Sequence, residues 1–396
     1  MTRLRALAMV AVVACSGGDR STSPRPAEPV VAVPVPDAAA AVVVEPAPAG
    51  SGSSAPAEPA RAPRIELAFV GDVMFGGYFD NHYDPQVPEK HDPLVDVDAL
   101  LASDLTVANL ETTITRTLPN AGGPHDGKGH KRFVTLPERV AVITRHHIKT
   151  VTLANNHQLD NDTKGLTETP AILDELGIHY FGAARAELPV FRVETVDVKG
   201  WRVGFISAST QMNVTPRKTG PLVPFIREDG VRAALLPVIE AARANHDLVF
   251  VVIHWGYEYT DAPARWQIDA AHAFVDAGAA AVIGHHPHVW QGIERYKDAV
   301  IAYSLGNFVF PNGKERVRDT GVLRLAFAAP AKPCLDAVAV LPAIQVRQPV
   351  THPVIPTPAQ RADIAKRLFG LSAAKPLATT WTVDGDRFVT SAACPK

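Results

Sequence analysis

Cysteine is scarce in this chain, with three in 396 residues, at positions 15, 334 and 394. No thiolate cluster is therefore available to select a soft metal. A charge excess is also missing: 39 Lys and Arg stand against 41 Asp and Glu, a net charge of -2. That balance offers no electrostatic reason for a nucleic-acid partner. Long apolar runs are lacking near the start, where Ala6 to Ala14 is too short to span a bilayer. Aromatic residues are absent from 16 to 63, and no internal repeat is visible. Hydrophobic residues nevertheless make up 46% of the chain, enough for a large core.

The N-terminus reads as an address. Arg3 and Arg5 precede the short apolar run, which ends at Val12-Val13-Ala14-Cys15. A basic stretch followed by such a run is a secretory signal, and the last four residues resemble the bacterial lipobox. The expectation is a signal peptide over 1–14, cleaved before Cys15, with Cys15 lipidated. More than one acyl chain there would give stable anchoring. The alternative is an ordinary signal that happens to contain a cysteine. The anchored reading makes this an extracytoplasmic, membrane-anchored bacterial lipoprotein, periplasmic or at the cell surface. It leaves Cys334 and Cys394 as a pair in an oxidising compartment, where a disulfide would tie the C-terminal tail to the domain.

Residues 16–63 are rich in proline and alanine and cannot bury enough apolar area to order themselves. With Cys15 they form an expected disordered tether, 15–63. Beyond it, strands alternate with helices. Strands are expected at 65–70, 105–109, 150–154, 201–208, 248–253, 279–283 and 301–305. Helices are expected at 94–102, 137–147, 163–176, 230–244 and 263–277. Residues 320–348 and 378–391 read as β-rich, with a helix at 358–369 capped by Thr357, opened by Pro358 and stopped by Gly370. The pattern is a layered α/β domain over 64–330, with a β-rich extension of the same domain over 331–396.

Polar residues recur just after strand ends, where ligands of α/β sheets bind. They are Asp72, Glu111, Asn156 with His157, His254, and His286 with His288 in Gly284-His285-His286-Pro287-His288. In an extended backbone His286 and His288 would point the same way. Carboxylate, amide and imidazole ligands suit Mn, Zn, Fe or Mg, as one ion or two. A two-ion site would clamp the oxygens of a phosphoryl group. Lys128, Lys131 and Arg132, in and beside a glycine-rich loop, are candidates for holding an anionic substrate.

Phe69-Val70-Gly71-Asp72-Val73-Met74, Asn109-Leu110-Glu111-Thr112, Leu153-Ala154-Asn155-Asn156-His157, His254-Trp255-Gly256, the His285–His288 segment and Tyr303-Ser304-Leu305-Gly306-Asn307-Phe308 occur in this order. Together they resemble the CapA family of poly-γ-glutamate capsule biosynthesis proteins, also called PgsA. The resemblance spans roughly 65–330. It implies a metallophosphoesterase-like (calcineurin-like) β-sandwich flanked by helices, and an extracytoplasmic, membrane-anchored protein. It also implies Asp72, Glu111, Asn156, His254, His286 and His288 as metal ligands. His157 would contact the substrate, Asp160 would orient His157, and Asn307 would lie at the substrate. Met74 stands where the superfamily has a histidine ligand, which leaves one ion site poorer.

Three functions fit this reading. One is an accessory of capsule synthesis or export that handles a polyanionic chain beside membrane synthase subunits. Another is a metal-dependent phosphoesterase or other hydrolase with His157 as proton donor. The third is a polymer-binding module without turnover. For the anchor, Cys15→Ala is expected to release the protein from the membrane fraction or to leave it as an uncleaved precursor. Unchanged processing and unchanged detergent partitioning would refute lipidation.

Overall fold

The computed structural model describes residues 61–392 and 394, apart from 80–81, 88–89, 120–130, 184–189, 215–221, 330–331 and 349. The expected signal peptide, Cys15 and nearly all of the tether lie outside the described residues. So does Lys128. Arg61, Ala62 and Pro63, counted with the tether in the sequence, pack on the domain. Arg61 sits over the Trp201 ring at 4.1 Å, and Trp201 Nε1 donates to Ala62 O at 2.7 Å.

Two large sheets carry the domain. In the ten-stranded sheet, Arg64–Val73, Leu105–Leu110, Ile148–Thr152 and His179–Phe181 run parallel. Asp319–Ala328 and Cys334–Val346 extend it antiparallel from Arg64–Val73, followed by Arg387–Thr390 and Thr382–Asp384. The β-rich C-terminal residues are thus continuous with the first sheet. In the six-stranded sheet, Trp201–Ser209, Leu248–His254, Ala281–His285 and Ala299–Ala302 run parallel. Val193–Val198 and Ile293–Tyr296 close its edges antiparallel.

Side-chain alternation along the strands sorts residues between layers. Ile65, Leu67 and Phe69 face Val203, Phe205, Phe250 and Val252 of the other sheet in a shared core. Phe69 and Phe250 meet at 5.4 Å between ring centroids. Ala68 and Val70 turn the other way, against Leu94, Ile143, Ile172 and Leu173. Val249, Val251 and Ile253 likewise pack on helices Val231–Arg243 and Arg265–Ala277. Strands covered on both faces are apolar throughout, and all seven residues of Leu248–His254 are buried. The result is helix, sheet, sheet, helix, the flanked sandwich that the resemblance implies. Among the described residues no helix is long and apolar enough to cross a membrane.

Several expected elements change. The 94–102 helix shrinks to the 3₁₀ turn Val95–Val97 and one α-turn, Asp98–Leu101. The 137–147 helix is α only over Pro137–Val140 and then 3₁₀ over Ala141–Arg145. Its β-branched Val140, Val142, Ile143 and Thr144 lose side-chain freedom in an α-helix, which weakens the longer form. The last helix opens as expected, with Thr357 accepting from the Gln360 backbone N–H and Pro358 at its first position, but it runs through Gly370 to Ala373. A helical glycine costs about 1 kcal/mol relative to alanine, which the neighbouring helix contacts outweigh. Cys334 and Cys394 are joined as a disulfide across 60 residues of sequence, with Cα atoms 5.2 Å apart.

One segment stitches the sheets together. After Ala299–Ala302 in the second sheet, the chain crosses through Tyr303–Gly306 and enters the first sheet as Asn307–Val309, beside Arg64–Val73. Asp72 N donates to Gly306 O at 2.9 Å, and Leu305 N donates to Gly284 O at 3.1 Å. This close passage needs glycine on both sides. A Cβ on Gly71 would lie 2.1 Å from Gly306 O, and one on Gly284 would lie 2.0 Å from Tyr303 O. Gly284→Ala is therefore expected to destabilise the protein by about 3 kcal/mol or more, the upper end for overpacking. Gly370, whose added Cβ meets nothing within 4 Å, is the control: Gly370→Ala should stabilise by about 0.5–1 kcal/mol. Denaturant unfolding of both variants measures the difference, and equal midpoints would refute the stitching role.

Candidate metal centre

The carboxyl ends of parallel strands from both sheets meet around this crossing. Asp72 is the penultimate residue of Arg64–Val73, Glu111 directly follows Leu105–Leu110, and His254 and His285 are the last residues of their strands. Asn155, Asn156 and His157 lie in the turn after Ile148–Thr152, and Asn307 opens the strand that follows the crossing. All of them are buried.

The extended backbone expected for His286 and His288 is not what aims them. The strand ends at His285, and His286 and His288 adopt left-handed backbones, with φ of 98° and 56°. Such angles are costly for residues other than glycine and concentrate at functional sites. Their rings end 6.0 Å apart, tilted by 52°.

Glu111 Oε1 is the hub. His254 Nε2 lies 3.7 Å from it, and His157 Nε2 and His288 Nε2 each lie 3.8 Å away. These separations are too long for hydrogen bonds. They suit atoms sharing a cation, because ligands held at about 2.0–2.2 Å stand at most about 4.4 Å apart. Two overlapping groups have potential ligand atoms within 4.8 Å of one another: Glu111 with His254 and His286, and Asp72 with Glu111 and His288. Glu111 belongs to both.

Hydrogen bonding leaves the facing atoms unsatisfied. Asp72 Oδ2, Glu111 Oε1, His254 Nε2, His286 Nδ1 and Asn156 Oδ1 are buried without a hydrogen-bond partner. Asp72 Oδ2 lies 3.1 Å from His288 Nδ1, whose proton goes instead to Asn307 Oδ1 at 2.8 Å. Each buried group left without a partner costs about 1–3 kcal/mol. Carboxylate oxygens and neutral imidazole nitrogens gathered this way fit a divalent cation, which would satisfy them together.

The charges agree with this fit. Burial alone would raise the Asp72 carboxyl, but the His285 hydrogen bond at 3.0 Å and the adjacent His288 ring outweigh it and hold it well below the usual range. Burial, then the neighbouring Asp72 carboxylate and Glu258, push Glu111 well above its ordinary value. Burial and the other imidazoles hold His254 well below the ordinary histidine value, and they bring His286 down to about 3. Both imidazoles are thus neutral and ready to ligate at physiological pH.

Beside the hub stands a second pair. His157 Nδ1 donates to Asp160 Oδ2 at 2.6 Å, and the ring stacks on Phe133 with centroids 3.9 Å apart. Asp160 Oδ2 also accepts the Phe133 N–H, and Arg132 Nε donates to Asp160 O at 3.0 Å. Arg132 is buried there and braces the His157 turn, while Lys131 is exposed, with its ammonium 5.7 Å from the Phe79 ring centroid. Met74 is fully buried in an apolar cluster with Phe133 and Phe310. Phe310 packs on His288 at 4.5 Å. The position where the sequence resemblance implies a histidine is here part of an apolar wall behind His157 and His288.

Sequence reasoning missed the amides that support the site. Asn109 Nδ2 donates to Asp72 Oδ1 at 2.9 Å and lies 3.3 Å from His254 Nδ1, and Asn155 Nδ2 donates to Asn109 Oδ1 at 3.0 Å. Asn213 Oδ1 accepts from Asn156 Nδ2 at 3.0 Å. Asn109 and Asn155 sit inside the strand-end motifs, where a buried amide needs partners. Asn213, in a loop of unremarkable sequence, carried no such signal.

Comparison with known proteins adds lineage to this geometry. The model of the bacterial capsule synthesis protein PGA_cap family matches residues 66–312. The capsule biosynthesis protein CapA of Bacillus anthracis is 30% identical over 292 residues, covering 72% of this chain and 69% of that protein. The PGA biosynthesis protein CapA of Bacillus subtilis is 30% identical over 268 residues, covering 66% of this chain and 67% of that protein. Among solved structures, the NAD nucleotidase of Haemophilus influenzae aligns over 80% of this chain and 57% of its own, with 13% identity and a TM-score of 0.39. By the family match and by its relatives, this chain belongs to the bacterial capsule synthesis protein PGA_cap family.

Proposed function

We propose that this chain is an extracytoplasmic, lipid-anchored accessory protein of capsule-type polyanion synthesis or export, working beside membrane synthase subunits. In this reading Asp72, Glu111, Asn156, His254, His286 and His288 hold one or two divalent cations. The observation that carries the metal reading is the convergence of buried, unpartnered ligand atoms on Glu111. Family membership and the relatives' names support the capsule role, with poly-γ-glutamate or a similar polyanion as the polymer. The Cys334–Cys394 disulfide suits an oxidising compartment. Oxygen and imidazole ligands favour Mn, Zn, Fe or Mg.

A bound divalent cation would act here as a Lewis acid toward a substrate oxygen. The chain's own residues supply the rest. His157 donates its Nδ1 proton to Asp160, so its Nε2, 3.8 Å from Glu111 Oε1 and 3.4 Å from Asn213 Nδ2, is the atom left to exchange a proton with substrate. The Phe133 ring holds the imidazole plane from below. This pair specifically favours a second reading, a hydrolase acting on an anionic polymer or a phosphoester. Met74 in the apolar wall argues for slow chemistry on generic phosphoesters.

Two measurements test these readings. The wild-type protein is expected to retain a divalent metal on elemental analysis after reconstitution. His286→Ala and Asp72→Ala should each weaken retention by at least ~10-fold, since losing even an outer partner of a ligand typically costs ~10–100-fold. A wild type without metal after Mn or Zn reconstitution would overturn the metal reading. Turnover of generic phosphodiesters is expected to stay below about 1 per second, under the usual enzymatic range. A faster rate that His157→Ala abolishes would put the hydrolase ahead of the accessory role.

A further inference from the structure

Asp72 and Glu111 share an asymmetry that the ligand set alone does not explain. Each has one oxygen turned to a neutral amide and one left without a hydrogen bond. Asn109 Nδ2 donates to Asp72 Oδ1 at 2.9 Å and reaches Glu111 Oε2 at 3.4 Å. The unpartnered oxygens are the other two, Asp72 Oδ2 and Glu111 Oε1. Asn109 itself is fully buried, and its Nδ2 also lies 3.3 Å from His254 Nδ1.

The orientation of that amide is determined by its other end. Asn109 Oδ1 accepts from Asn155 Nδ2 at 3.0 Å, and the same Asn155 Nδ2 also donates to Leu110 O at 2.9 Å. Asn155 Oδ1 in turn accepts the His157 backbone N–H at 3.1 Å. A 180° flip of Asn109 would set its carbonyl oxygen against two carboxylates and its NH₂ against another NH₂. The pair of amides therefore admits one arrangement, and that arrangement reaches from the carboxylates to the turn carrying His157.

From this geometry we infer that Asn109 is a positioning residue: it selects the oxygen that each of Asp72 and Glu111 presents to the metal centre. Asn155 locks that choice. The inference rests on the metal reading above and adds to it a residue that touches neither the cation nor the substrate. Asn109 holds Glu111 Oε2 back and, together with His285 at 3.0 Å, Asp72 Oδ1, and so both carboxylates are presented through a single oxygen. It also supplies donors that let two carboxylates lie side by side in a buried site where, among the described residues, no lysine or arginine bonds to them.

The test is Mn(II) titration calorimetry on the full-length, detergent-solubilised protein, with thermal melting as the check on folding. Asn109→Ala should weaken Mn(II) binding by about 10–100-fold, the range for removing a partner of a metal ligand. Asn109→Asp keeps the volume but replaces the donor by an acceptor, so it should weaken binding by at least about tenfold as well. A residue that only fills space would tolerate Asn109→Leu, which keeps the volume and removes the donor without adding a charge, whereas a positioning residue would lose the same tenfold or more. Should Asn109→Ala fail to fold, Asn109→Asp and Asn155→Ala are read in the same way. A folded variant at position 109 that binds Mn(II) as tightly as wild type, or more tightly, overturns the inference. Absence of binding by wild type would instead bring down the metal reading itself, and the two failures are told apart by the wild-type titration.

Discussion

Two carboxylates, Asp72 and Glu111, are buried side by side where the two sheets meet. Taking a carboxylate out of water is among the most expensive steps in folding, and a second one beside it adds repulsion. Much of the surrounding architecture can be understood as the response. Asn109 and His285 satisfy one oxygen of Asp72, while imidazole nitrogens stand around the free oxygen of Glu111. Left without a cation the arrangement is costly, and that cost is the physical reason to read it as a metal centre.

The crossing segment makes the fold and the site inseparable. Tyr303–Gly306 passes between Gly71 and Gly284 and delivers Asn307 to His288, so the residues that stitch the sheets are neighbours of those that line the site. Glycine is needed at both contacts because a carbonyl oxygen occupies the space a Cβ would fill. The same close approach brings Asp72, from one sheet, within hydrogen-bond reach of His285, from the other. The left-handed backbones of His286 and His288 are a local strain that this packing over-determines.

Behind the imidazoles, an apolar wall stands where the sequence resemblance implied a further histidine. Met74, Phe133 and Phe310 pack together, and the two aromatic rings support His157 and His288. A thioether at this position therefore serves packing, and it keeps the flank of the site apolar. Asp160 occupies Nδ1 of His157, so the ring turns its Nε2 edge toward Glu111.

Periodicity and punctuation were enough to locate the longer parallel strands, the long helices and the polar residues at strand ends, though not the short parallel strands His179–Phe181 and Asn307–Val309. Apolar runs such as Leu248–Ile253 and caps such as Thr357-Pro358 act through local forces that sequence displays directly. Short elements were less legible: the 137–147 segment looked helical, yet its β-branched residues and its packing left a single α-turn and a 3₁₀ turn. That Asp72, Glu111, His157, His254, His286 and His288 would gather where the sheets meet was legible in their type and their places after strand ends. The orientation of those groups was not. It depends on Asn109, Asn155 and Asn213, on backbone angles at His286 and His288, and on a crossing between sheets. These contacts join residues far apart in the chain, and only the packed structure brings them within hydrogen-bonding distance.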